Sequence, residues 1–228
     1  MRDCYFTEET FDFLTDLSGN NNRDWFDDNR QRYEDVVRTP ALCFIEDIAT
    51  GLATISSHFQ AVPRKVGGSL MRVFRDTRFS KDKRPYKTNV GIHFRHEVGK
   101  DVHAPGFYVH IAPNECFVGV GIWRPDAKVL AKIRDRIVEH GDAWIAARDD
   151  RQFNKRFRLD GDRLRNPPRG YAKDHPLIED LKWKDFIAVA ELTQREIVDK
   201  KFLPRVVKDF EAGDSLMRFL CKALELRY

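Results

Sequence analysis

The fold is decided by residues 107–122, which read FYVHIAPNECFVGVGI. Two runs in this stretch, 107–111 and 117–122, alternate apolar residues with other side chains. Alternation with a period of two is typical of a half-buried β-strand, and Pro113-Asn114 between the runs favours a tight turn. The stretch therefore predicts an antiparallel β-hairpin. Gly119 and Gly121 in its second strand indicate a bulge or a close approach of another backbone.

Residues 69–74 and 90–94 alternate in the same way, and residues 186–192 do so more weakly. Gly, Pro or Asn bounds each of the stronger runs, as expected for short strands. The pattern predicts an antiparallel sheet of about four to six strands in the middle of the chain. We expect residues 186–192 to return to this sheet as a late strand.

Helical periodicity lies on both sides of the predicted sheet. Thr7 and Gly19 are suited to begin and end a first helix, and apolar residues recur every three or four positions up to Ile55. Pro125 opens a long helix, while the polar stretch 151–169 is expected to be mostly loop. The fold class is therefore α+β, with N-terminal and C-terminal helices flanking the sheet. We expect one domain over residues 1–228, divided into helices at 7–57, the sheet at about 66–123, a helix and a return strand at 125–192, and C-terminal helices at about 194–226.

Composition limits the classes of protein to consider. The chain has 228 residues, 42% hydrophobic with 17 Phe, which is enough to build a packed core. Its net charge of +4 does not by itself indicate a nucleic-acid-binding protein. The four cysteines are far apart and form no C-x-x-C pair, which favours reduced thiols over disulfides or a zinc site. No window reaches 18 apolar residues, so we expect no membrane partner and a cytoplasmic location.

Positive charge is concentrated in residues 71–89, MRVFRDTRFSKDKRPYKTN. Between Arg72 and Lys87 there are seven basic and two acidic side chains, a net charge of +5, and Phe74, Phe79 and Tyr86 are interleaved with them. Guanidinium groups bind phosphate or carboxylate, and aromatic rings stack on bases or sugars. The segment predicts a site for an anionic or phosphorylated small molecule, with the ligand-binding candidates Arg72, Arg75, Arg78, Lys81, Arg84, Tyr86 and Lys87.

Tyr108 and His110 are the candidate catalytic residues. They are two positions apart in a predicted strand and should therefore point to the same sheet face, where a basic neighbour would complete an acid–base site. The alternative is that His110 is a satisfied histidine within the sheet. His93 and His103 also lie on or beside predicted strands. No carboxylate lies at a spacing typical of metal ligands, so we expect no metal, and no nucleotide-binding motif predicts a cofactor.

The string RDTRFSKDKRPYKTN, followed by GFYVHI and later PPRGYAKDHP, resembles a widespread family of microbial proteins called domain of unknown function 2461. The opening FDFLTDLSGNNNRDWFDDNRQRYED is similar to the same family, and the likeness runs from about Phe11 to the C-terminal helix. The resemblance implies no activity, cofactor or catalytic residue.

Three functions stay open on the sequence. The first is a domain, with or without enzymatic activity, that binds an anionic or phosphorylated small molecule. The second is a nucleic-acid-associated protein with the basic segment on an open face. The third is a structural or interaction module whose arginines pair with its own carboxylates. The sequence determines neither a reaction nor an oligomeric state.

Overall fold

The computed structural model describes residues 5–78, 80–99 and 104–228. In these residues one six-stranded sheet has the order β1-β2-β3-β4-β6-β5, and each strand is antiparallel to its neighbours. The strands are β1 (Phe59–Gln60), β2 (Val90–His96), β3 (Gly106–Ala112), β4 (Glu115–Ile122), β5 (Arg158–Asp160) and β6 (Phe186–Leu192). The predicted α+β class and the antiparallel sheet are confirmed. Cys4, Phe79 and His103 lie outside the described residues.

Helices precede the sheet, follow it and connect its later strands. A π-helical turn at Glu34–Arg38 joins α3 to α4 without interrupting the helical path. The α-helices are α1 (Glu8–Gly19), α2 (Arg23–Asp28), α3 (Arg30–Tyr33), α4 (Thr39–Ile55), α5 (Ala127–Glu139), α6 (Gly141–Arg148), α7 (Arg151–Arg156), α8 (Ile178–Leu181), α9 (Gln194–Ile197), α10 (Phe202–Ala212) and α11 (Asp214–Ala223).

One face of the sheet is apolar and forms the core. Phe94 and Phe107 pack against Phe210 of α10, with ring centroids 5.9 Å and 4.8 Å away. The N-terminal helices reach the same core, because Phe44 of α4 stacks on Phe202 of α10 at 5.0 Å. The buried side chains of this face include Val90, Ile92, Phe94, Phe107, Val109, Ile111, Cys116, Val118, Val120, Ile122, Phe186, Ala188, Ala190 and Leu192.

The opposite face carries polar, aromatic and small residues, and we call it the histidine face. Because side chains alternate across a strand, the residues between the core positions all belong to it. Register places His93 opposite Tyr108, and His110 between Gly91 and Phe117. Its residues on β2, β3 and β4 include Gly91, His93, Arg95, Gly106, Tyr108, His110, Phe117, Gly119 and Gly121.

The predicted hairpin is present. β3 and β4 pair along their whole length, and Ala112 lies opposite Glu115 across the two-residue turn. Gly121 has a φ of +118°, and a Cβ there would lie 2.1 Å from the carbonyl oxygen of Phe186 in β6. A side chain at this position is excluded, so the predicted close approach of another backbone is confirmed.

The prediction of a continuous strand at residues 69–74 is wrong. Leu70 forms an isolated bridge with Ile92, and the Met71 N–H donates to the Gly91 carbonyl at 2.9 Å. Beyond Met71 the chain leaves β2, and Phe74 pairs with Tyr86 instead. The expected alternation therefore breaks, and the arginines that follow do not point across a sheet face.

Residues 151–169 were expected to be mostly loop, but they contain α7 and β5. The side chain of Asp150 caps α7 by accepting the N–H groups of Gln152 and Phe153. β5 is an edge strand of three residues that pairs only with β6 within the described chain. Its first and last residues are exposed, so it lacks the clear apolar alternation from which strands are predicted.

Candidate functional site

The basic segment forms a hairpin-like arm, which we define as residues 72–87. Its two sides meet at the base, where the Lys87 N–H donates to the Val73 carbonyl at 2.7 Å and the Arg75 N–H donates to the Pro85 carbonyl at 2.8 Å. The bridge between Phe74 and Tyr86 lies between these two bonds. The arm is therefore held at its base by backbone pairing.

Tyr86 fixes the arm to the N-terminal helices. The Asn21 side chain, in the turn between α1 and α2, donates to the Tyr86 carbonyl and accepts the Tyr86 N–H, both at 3.0 Å. Tyr86 is 3% exposed, and its ring stacks on Phe26 at a centroid distance of 4.0 Å. Tyr86, predicted to contact a ligand, thus packs in the interior.

Three of the predicted ligand-binding arginines have carboxylate partners within the arm. Asp82 pairs with Arg75 at 2.6 Å and with Arg84 at 2.8 Å, and Asp76 pairs with Arg78 at 2.7 Å. Hydrogen bonds from Arg78 lower the pKa of Asp76 to about 2, and those from Arg84 and Arg75 hold the pKa of Asp82 well below its usual range. These pairs are largely exposed, so each contributes little to stability.

The pairing follows a local pattern that can be read in the sequence. Asp76-Thr77-Arg78 and Asp82-Lys83-Arg84 share the spacing Asp-x-Arg, and in both the carboxylate accepts the backbone N–H of the arginine as well as its side chain. Asp side chains commonly bond the backbone two residues on. The repeated tripeptide was therefore a signal that these arginines would be neutralised.

Arg72, Lys81 and Lys87 are the predicted ligand-binding residues that stay unpaired. No carboxylate lies within ion-pair distance of any of them in the described residues. Arg72 and Lys81 are exposed, whereas Lys87 is half-buried beside Met71 and Asn89. Burial, and next the positive charge of Arg72, lower the pKa of Lys87. Arg72 also contributes to the lowered pKa of Asp76, so the base of the arm holds two cations that lack a direct ion-pair partner, with Asp76 as a more distant counter-charge.

On the histidine face, Tyr108 and His110 lie side by side as predicted. Tyr108 Oη is 3.3 Å from His110 Nδ1, and His110 Nε2 is 3.9 Å from a carboxylate oxygen of Glu115. The His110 ring is stacked on Phe117, with centroids 4.7 Å apart and planes 5° from parallel. The absence of a side chain on Gly91 makes room for Tyr108, whose Oη lies 2.6 Å from where a Cβ would be.

Tyr108, His110 and His93 on this face are neutral near pH 7. Burial raises the pKa of Tyr108 to about 12, and the charge of Glu115 adds to that effect. Burial lowers the pKa of His110, with Glu115 acting in the opposite direction. Burial, followed by the charge of Arg95, lowers the pKa of His93 to about 4. A neutral phenol thus lies within hydrogen-bond distance of a neutral imidazole.

A family model described as "Conserved hypothetical protein (DUF2461)" matches residues 9–219. The chain belongs to this family. The match confirms the resemblance, and it includes both the arm and the histidine face. A comparison with curated proteins and a comparison with solved structures each found no match.

Glu115 and Phe117, which contact His110, were absent from the sequence-based candidates. Both lie on β4, and they meet His110 only because the hairpin pairs residue 112 with residue 115. The signal was available, since a two-residue turn at Pro113-Asn114 implies this register.

Among the described residues, no group of three or more His, Cys, Asp or Glu side chains is arranged to hold a metal ion. No described helix has the length and apolar character needed to cross a membrane.

Proposed function

We propose that this member of the family binds an anionic small molecule at the base of the arm, through Arg72 and Lys87. The observation that carries the proposal is the contrast within one segment. Arg75, Arg78 and Arg84 form ion pairs with carboxylates, while Arg72 and Lys87 have no carboxylate within ion-pair distance and the charge of Arg72 lowers the pKa of Lys87. Holding two like charges together is unfavourable in the free protein and becomes favourable when an anion lies between them.

The chemistry of the two side chains suits a phosphate or carboxylate group. A guanidinium presents a planar fork of donors that matches two oxygen atoms of such a group, and an ammonium adds a compact charge with three donors. Lys87 is half-buried, so its charge is screened less by water and salt than that of an exposed lysine. An anion bound there would also restore the pKa of Lys87 toward its ordinary value.

The paired arginines argue against the arm as a broad nucleic-acid-binding surface. Outside the base, Lys81 has no ion-pair partner among the described residues, and the Lys83 ammonium donates to the Thr77 carbonyl at 3.0 Å. Phe74 is 47% exposed and would be available for stacking on a base, which keeps nucleic acid as the second candidate.

The test is a thermal-shift and calorimetric titration with inorganic phosphate, sulfate, a nucleoside monophosphate and a short oligonucleotide. An anion at 100 times its dissociation constant should stabilise the parent protein by about 2.7 kcal/mol. Arg72→Ala and Lys87→Met should abolish the stabilisation. Lys81→Ala, which removes an unpaired exposed lysine of the same arm, is the matched control and should retain it.

Other results would favour the alternatives. Binding of the oligonucleotide alone, with a steep dependence on salt and an equal loss in Lys81→Ala, would indicate nucleic-acid association. If none of the four ligands stabilises the parent protein, the anion-binding proposal is contradicted and the arm is better described as a structural module.

A further inference from the structure

A cavity of about 280 Å³ lies between the turn that follows β2, the first half of α5 and residues 224–228, which we call the tail. The described residues that line it include none of the arm. Its walls combine apolar and basic side chains. The apolar ones are Val98 of the turn, Val129 of α5, and Leu224 and Leu226 of the tail, and the basic ones are Lys128 and Lys132 of α5.

We propose that this cavity binds a small amphipathic anion, namely an unbranched aliphatic chain that ends in one carboxylate, as in a medium-chain fatty acid. The chain lies against the apolar walls, and the carboxylate lies at Lys128 and Lys132. The inference goes beyond the anion-binding proposal and is independent of it, because the two sites share no residue.

The walls of the cavity are joined by one buried side chain, His96, which is 1% exposed. Its Nδ1 accepts the N–H of Val98 at 3.3 Å, so its Nε2 carries a proton and donates it to the Arg227 carbonyl at 2.9 Å. The tail is held a second time where the Tyr228 hydroxyl donates to Asp214 at 2.8 Å. The cavity is therefore already formed in the free protein, which lowers the cost of ordering it around a ligand.

The apolar walls and the volume favour a short aliphatic chain. Val98 is 68% exposed although it is a large apolar residue, so a chain placed against it removes apolar surface from water. The volume of about 280 Å³ is near the small end of ligand sites, roughly 300 Å³, which favours a short chain over a complete lipid. Each methylene group buried in such a site tightens binding about fourfold.

The charges of the cavity match a head group with a single negative charge. Lys132 pairs with Glu225 of the tail at 3.3 Å, whereas Lys128 has no carboxylate within ion-pair distance among the described residues. Two ammonium groups and one carboxylate leave a net charge of +1. A phosphate monoester, with a charge of about −1.5 to −2 near pH 7, is a poorer match and is repelled by Glu225.

The lysine side chains, and not the end of the helix, are the anion ligands. The Asp126 side chain caps α5 and already accepts the backbone N–H groups of Lys128 and Val129. Lys128 and Lys132 are four residues apart, so their side chains lie on the same side of α5 and can approach one carboxylate together.

The test is isothermal titration calorimetry of the full chain with hexanoate and octanoate, and with 1-octanol and octyl phosphate as head-group controls. Octanoate should bind at least about tenfold more tightly than hexanoate, because two more methylene groups enter the cavity. The octanol and the octyl phosphate should each bind more weakly than octanoate, since the first has no charge and the second has too much.

Variants assign the two parts of the ligand to the two kinds of wall. Lys128→Met keeps the apolar stem of the side chain and should weaken octanoate binding about five- to tenfold without changing octanol binding. Val98→Asp introduces a carboxylate at an exposed position, so the protein should fold, and it should weaken both ligands. Lys222→Met is the matched control, because Lys222 is an exposed lysine of α11 that does not line the cavity. This control and Arg72→Ala on the arm should bind octanoate as the parent does.

The inference is overturned if octanoate binds no more tightly than hexanoate or octanol, or if Lys128→Met binds it as tightly as the parent. It is also overturned if Arg72→Ala abolishes octanoate binding, because the carboxylate then lies at the base of the arm, a result that supports the anion-binding proposal. A complete lack of octanoate binding contradicts this inference alone, since the titrations with phosphate and sulfate test the other site.

Discussion

At the scale of single residues, His93 makes the stability of the protein depend on pH. Burial and Arg95 lower the pKa of His93 to about 4, whereas the unfolded chain takes up this proton near pH 6.5. Between these values the unfolded state binds a proton that the folded state does not. Stability is therefore complete above pH 6.5 and is lost as the pH falls toward 4, by up to about 3 kcal/mol.

Urea unfolding at pH 7.5, 6 and 5 would measure this loss in the parent protein and in His93→Gln. The variant has no titrating group at this position, so its free energy of unfolding should fall less over the same range. Equal pH dependence in the two proteins would contradict the assignment to His93, since His110 and the other histidines are common to both.

At the scale of elements, the attachment of the arm to the helices depends on Asn21. Its side chain forms hydrogen bonds with both the carbonyl and the N–H of Tyr86, as a neighbouring strand would. Asn21→Ala should lower the free energy of unfolding by about 1–3 kcal/mol, because it leaves the half-buried N–H and carbonyl of Tyr86 without these hydrogen-bond partners. Chemical unfolding would measure the loss.

Asn20→Ala is the neighbouring control for this prediction. The Asn20 side chain bonds the Asp16 carbonyl at the exposed end of α1 and makes no bond to the arm among the described residues. Its replacement should change the free energy of unfolding by less than about 0.5 kcal/mol. If the two variants lose the same stability, the Asn21 side chain does not anchor the arm.

At the scale of the whole molecule, we propose that residues 1–228 form one domain. The N-terminal and C-terminal helices share the core, where Phe6 and Phe44 both contact the ring of Phe202. A shared core predicts that these regions lose structure together. Thermal unfolding should show one transition, with equal calorimetric and van't Hoff enthalpies and coincident circular dichroism and tryptophan fluorescence curves. Two separated transitions would contradict the proposal.

The features predicted correctly from the sequence are local. The β3–β4 hairpin could be predicted because the alternation and its turn lie within sixteen consecutive residues, 107–122. The position of Tyr108 and His110 on one face followed from their spacing of two. β5 was missed because its pairing with β6, and not its own composition, makes it a strand.

The charged residues of the arm were also predictable only in part. The concentration of basic residues in the arm was evident from a count, and the Asp-x-Arg tripeptides would have indicated which arginines are neutralised. The electrostatic interaction between Arg72 and Lys87 could not be predicted from a count of charges, because it depends on where the two sides of the arm pair.

The α+β class, the central hairpin, the family and the location of the excess charge could all be predicted from the amino-acid sequence. Each of these depends on short-range periodicity, turn residues or composition. The interior position of Tyr86, and the lack of an ion-pair partner for Arg72 and Lys87, became evident only in the folded chain. Both depend on how the arm folds back and packs against the N-terminal helices, and such contacts are determined by the packing of the whole chain.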